Sequence, residues 1–64
     1  MNGITVEQLC EKLCLEERYV VICDSNFDND VFYGYGKEAM SSEFRHRIAL
    51  SIGIGGAQEY VITI

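Results

Sequence analysis

Residues Tyr19–Asp24 read Tyr-Val-Val-Ile-Cys-Asp. β-Branched and aromatic side chains of this kind favour a strand. The run is apolar at odd and even positions alike, so neither face of the strand is made for water. It predicts an inner strand with material on both sides, and the rest of the chain has to be arranged around it.

Residues 25–30 follow as Ser-Asn-Phe-Asp-Asn-Asp. Most of these side chains bond their own backbone, which favours a turn. Residues 31–35 read as a second strand, and the spacing predicts a hairpin with a longer loop. Gly34 and Gly36 flank Tyr35 and are expected to end this strand or bulge it. On the N-terminal side, residues 5–15 read as a helix. Thr5 caps it, Gln8 completes a capping box three residues on, and Glu7 sits where the helix dipole favours negative charge. Val6, Leu9, Cys10 and Leu13 recur at the spacing of one buried face. Gln8, Glu11 and Lys12 fall on the wet side.

Residues 37–44 are expected to form a crossover, with Ser41 or Ser42 capping a single helical turn and Met40 and Phe44 against the core. Residues 46–52 alternate as a third strand, residues 53–58 form a glycine-rich turn, and residues 59–64 are the last strand. Ile48, Leu50, Ile52, Ile62 and Ile64 form the expected inward set. The fold class that results is α+β. One N-terminal helix packs on a four-stranded antiparallel sheet built from two hairpins, in a single small domain spanning residues 1–64. The terminal strand has no Lys or Pro to blunt it, so as an edge it would invite pairing.

The whole chain is 64 residues with a formal charge of −5. A core this small supplies roughly 3–5 kcal/mol, which makes a second support expected. With strands apolar on both faces, that support is self-association, most simply a dimer. The composition excludes a disordered acidic tail or a low-complexity linker. No apolar run approaches the roughly 20 residues of a membrane span. The acidic balance argues against direct nucleic-acid binding, which requires clustered Lys and Arg, and favours a basic protein partner. Cys10, Cys14 and Cys23 are odd in number, and no secretory leader is expected, since the first residues lack a charged region followed by an apolar core. That predicts reduced thiols and a cytoplasmic setting.

The succession of a capped helix, a strand ending in Asp24, an Asn/Asp-rich turn, Val31-Phe32-Tyr33-Gly34-Tyr35, and the terminal Val61-Ile62-Thr63-Ile64 resembles small proteins encoded by phages and mobile elements of Gram-positive bacteria. The segment Gly53-Ile54-Gly55-Gly56 departs from the shorter polar turn expected there. The resemblance implies a role inside a host cell, in binding host proteins, such as those of a defence system, or in sequestering small molecules. It carries no catalytic residue.

Several constellations bear on chemistry. Asp24, Asn26, Asp28 and Asp30 alternate as in a calcium loop, but Asn29 stands where that loop needs Gly and Tyr35 where it needs Glu. A solvated turn explains them better. Cys10, Cys14, Cys23 and His46 are zinc-ligand types without a compact Cys-x2-Cys knuckle, and core packing accounts better for Cys10 and Cys23. Residues 53–56 lack the Lys-Ser/Thr of a phosphate loop. His46 is tied by spacing to no nucleophile, so no catalytic residue, metal or cofactor is expected.

Two readings of function remain. The first is a non-enzymatic interaction protein that binds a host protein through the acidic loop. Phe27 is its apolar anchor, and Asp24, Asp28 and Asp30 steer the encounter. The alternative is a binder of a nucleotide or another anion at an oligomer interface. There Arg45 and Arg47, sharing strand parity, hold phosphate, and Tyr33, Tyr35 or Tyr60 stack on a base. A structural accessory of a phage particle is a third, blander reading.

Overall fold

The computed structural model describes residues 3–56 and 58–64. Ala57, inside the glycine-rich turn expected at residues 53–58, lies outside the described residues. The elements in chain order are α1 (Val6–Lys12), β1 (Tyr19–Asp24), β2 (Asn29–Tyr35), α2 (Gly36–Ala39), β3 (Ser51–Ile54) and β4 (Tyr60–Thr63). They make an α+β fold with one four-stranded sheet in the order β2-β1-β4-β3.

The sheet is mixed, which corrects the antiparallel expectation. β1 pairs antiparallel with β2, and β4 antiparallel with β3, but β1 and β4 run parallel. The chain reaches this arrangement because residues 36–50 cross the sheet before β3 forms. β4 then returns to the slot beside β1. The terminal strand is therefore interior, and β3 takes the edge. Burial explains the choice. Val20, Ile22 and Ile62 are fully buried, and each such side chain contributes about 1.5–3 kcal/mol when removed from water. Parallel pairing puts Ile62 level with Ile22 and so joins these residues in one row.

The covered face carries Val20, Ile22, Ile62 and Ile64, packed against Val6, Cys10, Leu15 and Ala39. Leu9, Val31, Phe32, Met40, Phe44, Ala49 and Tyr60 pack against it half-buried. Of the expected inward set, Ile62 and Ile64 are buried, whereas Ile48, Leu50 and Ile52 are exposed. The third strand starts at Ser51 rather than at residue 46, because residues 43–47 turn and Ile48 forms an isolated bridge to Thr5. There the chain holds the start of α1: the carbonyls of Arg47 and Arg45 accept from the N–H groups of Val6 and Glu7 at 2.9 and 3.0 Å.

α1 begins with the capping box expected of Thr5 and Gln8. It ends three residues before residue 15. The Cys14 N–H donates to Glu11, the Leu15 N–H donates to Cys10, and Cys14 takes φ 57°. This left-handed exit turns Leu15 back into the core and leaves Leu13 exposed. The second helical turn starts at Gly36, earlier than the expected cap at Ser41 or Ser42. The Glu38 side chain accepts from the Tyr35 N–H at 2.9 Å. Gly36 lies against the backbone carbonyl of Leu15, and a Cβ there would overlap that oxygen.

Candidate functional site

Side chains alternate along a strand, so Tyr19, Val21 and Cys23 point away from the covered face. In register beside them lie Tyr35, Tyr33 and Asp30 on β2, and Val61 and Thr63 on β4. None of the buried cluster that packs under α1 and α2 comes from this second face. It is the open face of the sheet.

Three tyrosines dominate it. Tyr19, Tyr33 and Tyr35 are 45%, 61% and 49% exposed. Tyr19 and Tyr35 meet edge to face, with ring centroids 6.0 Å apart, a favoured aromatic geometry. The Tyr33 hydroxyl donates to the Asp30 carboxylate at 2.9 Å. That hydrogen bond is the main reason the phenol is held above its ordinary value. Val21, between Tyr33 and Val61, is nearly buried although no helix covers it. Its register neighbours Tyr33 and Val61 flank it on this face.

The turn between β1 and β2 adjoins this face. Asp24 is buried, unlike the exposed carboxylate expected of a partner contact. Its side chain accepts from the Asn26 N–H at 2.9 Å and lies 3.8 Å from the Arg47 guanidinium. Asp24 thus shapes the turn from behind. Phe27 is 73% exposed at the tip. Asp28 is exposed and takes φ 53°, a conformation Asp tolerates better than most residues. Asn29 and Asp30, expected in the loop, belong to β2. A bulge at Val31 lets Asp30 pair with Cys23 on the open face.

The residues of the anion-binding reading are dispersed. Tyr33 and Tyr35 stand on the open face, whereas Tyr60 packs with the covered core. Arg45 and Arg47 lie in a turn and not in a strand, so shared strand parity does not align them. Arg45 donates to the Ser42 carbonyl at 3.0 Å, and Arg47 faces Asp24. The three cysteines are also apart. Cys10 is under α1, Cys14 is exposed at the helix end, and Cys23 is half-buried on the open face rather than in the core. Burial raises the Cys23 thiol above its ordinary value, aided by Asp30, Asp28 and Asp24.

Tyr19 is the surface residue that sequence reasoning missed. The signal was present, since Tyr19 has the parity of Val21 and Cys23. Comparison of the chain with known families, characterised proteins and solved structures gives no match. Among the described residues, no helix is long and apolar enough to cross a membrane.

Proposed function

We propose that this protein is a non-enzymatic protein-binding domain that docks its partner on the open face of the sheet. The observation that carries the reading is the patch of Tyr19, Tyr33 and Tyr35 around Val21, exposed on a face no helix covers. Tyrosine suits such a role, because it offers a large rigid area and a hydroxyl at little conformational cost. Phe27 extends the apolar contact at the turn, and Asp28 and Asp30 rim it with negative charge. The partner that fits is a protein with an apolar patch bordered by Lys and Arg. A host protein is the partner that the resemblance to phage and mobile-element proteins implies.

Interfaces draw most of their energy from a few aromatic anchors. Phe27→Ala, and separately the pair Tyr33→Ser and Tyr35→Ser, should each weaken capture of the partner by more than about 1 kcal/mol, roughly fivefold or more in Kd. Circular dichroism should be unchanged, because these side chains are exposed. Calorimetric titration of the captured partner against each variant is the test. Equal affinity of wild type and the tyrosine variant would overturn the reading. A marked fall in the melting temperature of Phe27→Ala would show that Phe27 belongs to the core.

A further inference from the structure

The two edges of the sheet are protected unequally. β2 carries the bulge at Val31 and the charge of Asp30, and α2 follows directly on its end. These are devices that keep an edge from pairing. β3 has none of them. Residues 48–58 contain no charged side chain in a protein of net charge −5, and no proline.

The ladder defines which groups of β3 are open. The Ile64 N–H donates to the Cys23 carbonyl, so the even-numbered residues of β4 address β1. The odd-numbered ones address β3, and the Gly55 N–H accordingly donates to the Glu59 carbonyl. Ile52 and Ile54 pair with Ile62 and Tyr60 on the rungs between. An antiparallel ladder turns the backbone N–H and C=O of such residues outward. Both side chains are exposed as well, at 37% and 71%.

We infer that β3 pairs antiparallel with β3 of a second copy of this chain, giving a dimer with one continuous eight-stranded sheet. The two-fold axis passes at Gly53, so that Ile52 of one chain lies opposite Ile54 of the other and they exchange main-chain hydrogen bonds. Gly53 carries no side chain, so none stands between the two strands at the axis. A second copy is the occupant because it presents the required uncharged, unpaired strand. Two-fold pairing satisfies the outward groups of both chains at once. Two molecules of like charge also approach with less repulsion along a strand that itself carries no charge, the Glu59 carboxylate lying beyond its end against Gly55. The exposed side chains of Ile52 and Ile54 are then covered by those of the second copy.

Sedimentation equilibrium from low micromolar to sub-millimolar concentration tests this. Wild type should reach twice the monomer mass of 7.2 kDa, and Ile54→Lys should stay at 7.2 kDa with an unchanged circular dichroism spectrum. As an independent readout, amide exchange at Ile52 and Ile54 should slow as protein concentration rises. A wild-type species of 7.2 kDa throughout would overturn the inference. So would a dimer that survives Ile54→Lys but is lost with Tyr33→Ser and Tyr35→Ser, since that contact would lie on the open face.

Discussion

At Cys10 a thiol is sealed beneath α1, and its environment changes its chemistry. Burial, helped by the charge of Glu16, pushes it from 9.0 up to about 11. Between those values the unfolded chain loses the thiol proton while the native protein keeps it, so stability falls as pH rises. The contribution is complete below about pH 9 and is lost as pH climbs through about 11. Urea midpoints measured from pH 8 to pH 11 should therefore show the gap between wild type and Cys10→Ala narrowing. A gap of constant size would mean that the thiol ionises alike in both states. Asp24 makes the opposite point at the same scale. Its place at the end of a strand reads as an exposed acidic group, yet the turn folds over it and Arg47 approaches it.

Among the elements, α1 shows how a local motif overrides periodicity. Its apolar spacing continues to Leu13, but the helix ends at Lys12. On a continued helix Leu15 would fall opposite the stripe, and the turn brings it into the core instead. The exit requires a left-handed residue at position 14, and Cys14 is a costly one, since such a conformation costs most L-residues roughly 1–2 kcal/mol. Glycine adopts it freely, at some entropic cost in the unfolded chain. Cys14→Gly should thus stabilise the protein by about 0.5–1 kcal/mol, read as a higher urea midpoint with unchanged slope. A lower midpoint would show that Cys14 contributes contacts its exposed position does not suggest.

For the molecule as a whole, the parallel union of β1 with β4 is decisive. It brings the last strand into the middle of the sheet, where Ile62 is fully buried. Removing a buried isoleucine side chain to alanine costs about 2–5 kcal/mol, comparable to the roughly 3–5 kcal/mol that a core of this size provides. Ile62→Ala should therefore be largely unfolded at room temperature by circular dichroism. Leu50→Ala, at 65% exposure, should change monomer stability by less than about 0.5 kcal/mol. The reverse ranking would place the core on the β3 side of the sheet.

The sequence alone determined whatever rests on near neighbours in the chain. The capping box of Thr5 and Gln8, the strand at residues 19–24 and the turn after Asp24 follow from side-chain chemistry and short-range periodicity, whereas the exposure of Phe27 came from the structure. The apolar character of both faces of β1 was equally plain, and it predicted material on both sides, whereas the core cluster lies on one. Only the tertiary structure decided that β4 enters beside β1, that β3 becomes the edge, and that Ile48, Leu50 and Ile52 stay outside. It also decided that Tyr19 joins Tyr33 and Tyr35 while Tyr60 packs on the other face. Alternation says which residues share a face of one strand. Which face is covered, and which strands are neighbours, depend on contacts between residues about 40 positions apart, and on how much apolar surface each pairing removes from water.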